Sequence, residues 1–158
     1  GGGASGLQSA ITVKSTYPEK EVVLIRKEKQ VLIPCGIPYI FGTLSDSSKN
    51  ILPDKPLTSV GVEIIIDEIA DINVEGHSCN TASGETYYYE KLILALGSKP
   101  TLPKWLKGAE LENVFTIPKN KIYLDGYFKV KERIDKWWDI NKLYKWKYKT
   151  NDLDFIIK

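Results

Sequence analysis

Gly1-Gly2-Gly3-Ala4-Ser5-Gly6 opens the chain and reads as G-x-G-x-x-G at Gly1, Gly3 and Gly6. That pattern is a dinucleotide-binding fingerprint with a physical reason at each position: a tight turn off a strand, close approach of backbone to a pyrophosphate, and close packing of a helix on a sheet. The helix that follows offers unpaired N–H groups and a positive dipole end to the phosphates. Six residues alone fit a flexible tag or linker equally well, so the neighbouring segments decide.

From Ala4 to about Ser15 the spacing of Leu7, Ala10, Ile11 and Lys14 predicts a helix, closed by the polar turn Tyr17-Pro18-Glu19-Lys20. Glu21-Val22-Val23-Leu24-Ile25 then predicts a short buried strand, so turn, helix and strand follow in the order of a βαβ unit. In many dinucleotide folds an acidic residue ends this strand and binds a ribose hydroxyl. Here Arg26 and Lys27 stand at that end and Glu28 follows. Glu28 at the ribose, a ribose held by backbone, Arg26 stacked on adenine, and a merely solvated Arg-Lys-Glu-Lys loop all remain open.

The fingerprint should follow a strand, and nothing precedes Gly1; the chain also contains no methionine. The expectation is a sequence that starts inside a longer natural chain. A central parallel strand bonds on both sides. Gly1–Gly6 is therefore expected to be poorly anchored unless another segment, such as the Lys-Tyr-Trp tail, fills that slot.

With 158 residues, the chain is long enough for one domain with a real core. Its net charge of +2 points to neither nucleic acid nor membrane. No apolar run approaches the roughly 18–20 residues of a membrane span, and no signal peptide is visible. A cytoplasmic setting is expected. Cys35 and Cys79 are too few for a disulfide scaffold and lack C-x-x-C spacing, and His77 is the single histidine, which excludes metal sites built on several His ligands. Charge is uneven: residues 1–117 carry 11 basic and 14 acidic side chains, residues 118–158 carry 11 and 6, which marks a boundary near Pro118.

Val31-Leu32-Ile33-Pro34-Cys35-Gly36-Ile37-Pro38-Tyr39 predicts a thiol at the start of a short helix. A helix N-terminus favours the nucleophilic thiolate. The competing reading is a small buried hydrophobe, the usual state of a free cysteine. Cys79 falls in an expected loop, Gly76-His77-Ser78-Cys79-Asn80, and reads as an incidental loop thiol.

GGGASG followed about thirty residues later by PCGIPYIFG resembles the start of the pyridine nucleotide-disulfide oxidoreductases, in particular the single-cysteine branch of coenzyme A-disulfide reductases, NADH oxidases and persulfide reductases. Tyr89-Glu90-Lys91-Leu92-Ile93-Leu94-Ala95-Leu96-Gly97-Ser98-Lys99-Pro100 is similar to that family's second flavin-domain motif, and Gly108-Ala109-Glu110-Leu111-Glu112-Asn113-Val114-Phe115 to the segment after it. The likeness covers about residues 1–117. It implies an α/β, Rossmann-like FAD-binding domain with a parallel sheet and a small antiparallel β-meander. That domain would be incomplete, since the first strand, the NAD domain and the returning segment are absent from the sequence.

The resemblance implies that Gly1, Gly3 and Gly6, with Ala4 and Ser5, face the FAD pyrophosphate. It places Arg26, Lys27 and Glu28 at the adenosine end, and Pro34, Ala95 and Gly97 along the flavin site. Cys35 is then the redox-active thiol beside the flavin. NAD(P)H is the co-substrate, the partner is a small-molecule thiol/disulfide substrate, and a homodimer is expected. Cys35 has no Cys-x4-Cys partner, so it must pair with a thiol substrate or cycle through sulfenic acid. Peroxide- and oxygen-reducing members often carry a histidine where Ala4 stands, and its absence weighs toward disulfide or persulfide over peroxide reduction. Leu96 replaces the usual threonine of Ala-Thr-Gly, which puts a side-chain contact in doubt but not the turn at Gly97.

Between the motifs, turn signals run from Phe41 to Pro56, and Leu57–Val60 is expected to end a short helix with Gly61 as its stop. Val62–Ile66 and Ile69–Val74 are expected strands, Glu75–Gly84 a turn and Thr86–Tyr89 a returning strand, before a parallel strand at Leu92–Ala95. Residues 118–158 form a basic, aromatic-rich tail, with Trp137, Trp138, Tyr144, Trp146 and Tyr148 among lysines. Lys129–Lys145 has helical character. A helix covering exposed sheet, or aberrant sequence after truncation, accounts for it; neither nucleic acid nor membrane is expected as a partner. The functional expectation is an NAD(P)H-linked flavoenzyme domain acting on a disulfide, persulfide or oxygen, against a non-catalytic flavin-binding module or remnant that works only with a partner chain.

Overall fold

A computed structural model describes residues 1–111, 116 and 119–126, and of Phe41 and Gly42 the backbone only. The expected helix within residues 129–145 lies outside the described residues. The chain divides into two units, Gly1–Lys121 and Ile122–Lys158. Of the second, residues 122–126 are described and are helical.

Helix α1 spans Ala4–Thr16 and begins at Gly3, whose extended backbone (φ −71°, ψ −178°) serves as its N-cap. It ends where Pro18 cannot continue it, and Lys14 Nζ donates to the Pro18 and Lys20 carbonyls at 2.9 and 2.6 Å. Its buried face is Gly6 and Ala10. Strand β1 is Val23–Arg26, one residue beyond the expected end, because Arg26 itself is in the ladder. β1 pairs in parallel with β2, Glu63–Ile66, in the register Val23–Glu63 to Arg26–Ile66.

Ala10, Leu24, Leu57 and Val62 form the core between α1, the β1–β2 pair and α3, Lys55–Ser59; Leu7, Ile11, Val22, Val60 and Ile64 close around it. Burial of Leu24, Leu57 and Val62 stabilises the fold by about 1.5–3 kcal/mol each. α3 stops just before Gly61, whose φ of +85° only glycine adopts without strain.

A second sheet is the antiparallel meander β3 (Ile69–Asn73), β4 (Ser78–Thr81) and β5 (Thr86–Tyr88). β4 falls inside the stretch expected to be one long turn. The true turns are tight: the Asn73 side-chain amide oxygen accepts the Gly76 N–H at 2.8 Å, and Gly84 (φ +98°) turns the chain back after Thr81. Cys79 is therefore a buried strand residue opposite Ile72 and Tyr87, not a loop thiol, and burial pushes its thiol pKa up.

The expected parallel strand Leu92–Ala95 does not form among the described residues. β1 and β2 bond only to each other there. The stretch 92–97 instead runs past the end of the glycine loop with Leu92, Ile93, Leu94 and Leu96 exposed. A short apolar run is not enough for a strand without a neighbour to share its ladder. No helix among the described residues is long and apolar enough to cross a membrane.

Candidate functional site

The glycine loop is closely packed. Gly2 and Gly6 are buried. A Cβ on Gly6 would overlap the Gly1 carbonyl oxygen and stand 3.3 Å from the Ala95 Cβ; one on Gly1 would overlap the Ala95 carbonyl; one on Gly2 would overlap the Arg26 side chain. The expectation of a poorly anchored loop is thus not met. Sideways packing on Ala95 and Arg26 holds it, in place of ladder bonds.

Gly3 is the exception: nothing lies within 4 Å of where its Cβ would point. Leu7 N–H to Gly3 carbonyl, at 2.9 Å, is the first bond of α1, which leaves the amides of Ala4, Ser5 and Gly6 outside the helical ladder. Ala4 and Ser5 are exposed and no acidic residue stands in the first turn. The open approach at Gly3, the free amides and the helix dipole together fit a pyrophosphate.

Gly97 has φ +72°, so the turn after Ala95 and Leu96 requires glycine whatever the residue at 96.

At the end of β1, Arg26 is 4% exposed. Its guanidinium makes a bidentate pair with Asp54, 2.6 and 2.7 Å, and donates to the Lys29 carbonyl at 2.8 Å. Hydrogen bonding from Arg26 holds the Asp54 carboxyl below the usual carboxylate range. Arg26 therefore braces the loop through Gly2 rather than presenting its plane for stacking. Lys27 pairs with Glu68 at 2.6 Å on the surface, and Glu28 is half-buried.

Cys35 is exposed, in the 3₁₀ turn Pro34–Gly36 that leads into α2, Ile37–Tyr39, and a wide turn over Ile40–Leu44. Pro34 takes the first helical position, where its missing N–H costs nothing. Ile37 and Ile40 bury the inner face, so Cys35 falls on the outer one. Asn50, from the 3₁₀ turn Ser47–Asn50, lies against this segment: the Ile33 N–H donates to the Asn50 carbonyl at 3.0 Å and the Asn50 Nδ2 to the Ile33 carbonyl at 2.9 Å.

The structure thus brings Gly1, Gly6 and Ala95 together, sets Arg26 under Gly2, and holds Pro34 and Cys35 on a separate helical run. Sequence reasoning missed Asp54 and Asn50. The first sits in a Pro-Asp turn signal and the second in a polar run, and neither carries a pattern that names its distant partner. Among the described residues no group of three or more His, Cys, Asp or Glu side chains could hold a metal.

Known proteins resemble this chain in sequence and in fold. The chain is 28% identical over 142 residues to a CoA-dependent NAD(P)H sulfur oxidoreductase of Pyrococcus abyssi, covering 85% of this chain and 31% of that protein. It is 29% identical over 126 residues to an NADH oxidase of Methanocaldococcus jannaschii, covering 74% and 28%. The chain spans about a third of the length of these relatives. The fold superimposes on the sulfide:quinone oxidoreductase of Aquifex aeolicus with a TM-score of 0.67 at 20% identity, covering 86% of this chain and 31% of that one. The sequence model of the pyridine nucleotide-disulphide oxidoreductases matches residues 1–134. The α/β fold and its glycine loop accordingly belong to a pyridine nucleotide-disulphide oxidoreductase, a member of an enzyme family that uses FAD and NAD(P)H.

Proposed function

We propose that this chain forms the FAD-binding part of an NAD(P)H-dependent oxidoreductase that reduces a small-molecule disulfide or persulfide through Cys35. The observation that carries the reading is the open backbone at Gly3, between glycines that admit no side chain. Gly1, Gly3, Ala4, Ser5 and Gly6 would hold the pyrophosphate, with Ala95 and Gly97 closing the far side. Arg26 contributes as a brace, and Lys27 and Glu28 border the adenosine end. Bound FAD would supply two-electron transfer from NAD(P)H to sulfur. The names of the relatives, a CoA-dependent sulfur oxidoreductase and an NADH oxidase, favour sulfur or oxygen as acceptor, and Ala4 in place of a histidine weighs against peroxide.

In the chemistry proposed for Cys35, its thiolate attacks one sulfur of a disulfide RSSR, forms a Cys35–S–S–R bond and expels RS⁻. Two electrons and a proton then return Cys35 to thiolate and release RSH. The sum is RSSR + NAD(P)H + H⁺ → 2 RSH + NAD(P)⁺. A cytoplasmic setting and a homodimer belong to the same proposal. The alternative reading is a non-catalytic flavin-binding module that acts only with another chain.

FAD titration of the purified chain, read by quenching of flavin fluorescence, tests the first step. Saturable binding that Gly3→Val abolishes is expected; no binding would overturn the reading. NADH oxidation with coenzyme A disulfide separates enzyme from module. Activity lost in Cys35→Ser supports the cysteine's role, and full activity in that variant removes it.

A further inference from the structure

We propose that Asn50 is the positioning residue of Cys35, and that it is the reason residue 36 is a glycine. The inference rests on the redox role proposed for Cys35, but its geometry does not. Asn50 is 3% exposed. Its side chain reaches the cysteine segment on both sides of the thiol. Two residues before Cys35, the Ile33 carbonyl accepts both the Asn50 Nδ2, at 2.9 Å, and the Gly36 N–H, at 3.0 Å. A carbonyl only accepts, so the nitrogen of the carboxamide faces Ile33 and its oxygen faces the other way. One residue after Cys35, a Cβ on Gly36 would overlap that oxygen, Asn50 Oδ1.

Backbone conformation does not require glycine at 36. Its φ of −85° and ψ of −13° are open to any residue. The requirement comes from the wedged amide alone. Backbone bonds continue the grip: Ile33 N–H to the Asn50 carbonyl at 3.0 Å, Leu52 N–H to the Val31 carbonyl at 2.8 Å, and a bridge between Leu32 and Ile51. Below the turn, Asp46 accepts the Ser48 N–H at 2.8 Å and the Ser48 hydroxyl at 2.7 Å, which fixes the turn that delivers Asn50. Cys35 itself stays exposed at the top of this frame. Asn50 does not touch the reacting sulfur in this account; it sets the turn on which the sulfur rides.

Alkylation of Cys35 by iodoacetamide, followed by mass spectrometry across pH, tests the proposal without flavin or acceptor, with buried Cys79 resolved as a separate peptide. Asn50→Ala is expected to change the Cys35 rate at fixed pH roughly threefold or more and to give a pH profile that does not superimpose on the wild type, because thiol reactivity follows the local frame. Gly36→Ala is expected to disturb the profile as well. In Gly36→Ala/Asn50→Ala the new methyl group has the vacated space, so the double variant should resemble Asn50→Ala rather than the sum of the two changes. Superimposable profiles for wild type and Asn50→Ala, or strictly additive effects in the double variant, would overturn the proposal. Should Asn50→Ala not fold, Asn50→Asp carries the same test: it keeps the shape and sets an oxygen against the Ile33 carbonyl. If Cys35→Ser keeps full disulfide reductase activity while the alkylation profiles shift as expected, the redox role of Cys35 fails and the positioning by Asn50 stands.

Discussion

Gly6 and Gly36 are both glycines without which their segments do not close, and they are so for different reasons. At Gly6 the obstacle is backbone, the carbonyl oxygen of Gly1. At Gly36 it is a side chain, the carboxamide of Asn50. Backbone cannot be mutated away, whereas a side chain can. The glycine-loop end of this fold is thus closed by main chain, while the cysteine end is keyed by one removable group. Main-chain construction suits a site that must meet a pyrophosphate at close range. Side-chain construction suits a site whose thiol is tuned by its frame.

Gly6→Ala should do the most damage. The overlap with the Gly1 carbonyl can be relieved only by moving α1 from the loop, at about 1–3 kcal/mol or more. Thermal unfolding should show that loss, and FAD titration a loss of binding that no change at position 95 restores. A second substitution that did restore both would erase the distinction between the two ends.

Next is the brace beneath Gly2. Asp54→Asn leaves the buried Arg26 guanidinium short of its charged partner, at about 1–3 kcal/mol, toward the low end because Asp54 is 43% exposed and screened by solvent. The effect carries a pH signature. The folded-state pKa of Asp54 lies below its unfolded value, so its stabilisation is complete above the ordinary carboxylate pKa and is lost as pH falls through the lowered one. Denaturant unfolding of wild type and Asp54→Asn should therefore differ at neutral pH and converge in acid. A difference that persists at low pH would mean the brace works through shape rather than charge.

Gly3→Ala should change stability least, by about 0.5–1 kcal/mol, since the space beside Gly3 is open and its φ is ordinary, so only the poorer N-cap counts against it. FAD affinity should fall all the same, because that space is where the ligand approaches. Parallel loss of stability and affinity in this variant would show that the opening is structural rather than a binding surface.

Much of this was legible in the chain. Hydrophobic spacing and turn residues located α1 and the ends of β1, β2, β3 and β5 within about two residues: α1, β1 and β2 by the face they turn to the core, β3 and β5 by the turn residues that bound them. β4 was not legible: Ser-Cys-Asn-Thr has no apolar alternation, and its strand state comes from two neighbours that offer it hydrogen bonds on both edges. Leu92–Ala95 failed in the opposite sense, as it is apolar and finds no strand to pair with among the described residues. Cys35 could be placed at a helix start from Pro34 and Gly36, but Asn50, fifteen residues on, carries no local mark of its partnership.

Local sequence, then, settled what depends on nearest neighbours: glycines where backbone must turn or close up, a proline at the first helical position, a capped helix after the loop, and the order of motifs that places the chain in its family. Tertiary structure decided what depends on residues far apart meeting. It turned Arg26 inward to Asp54 when its charge alone pointed equally to adenine or solvent. It made Asn50 the reason for Gly36, and it withheld strand pairing from a stretch that had every local qualification for it. A carboxamide or a guanidinium has no role until a partner at bonding distance defines one, and that distance is a property of the fold.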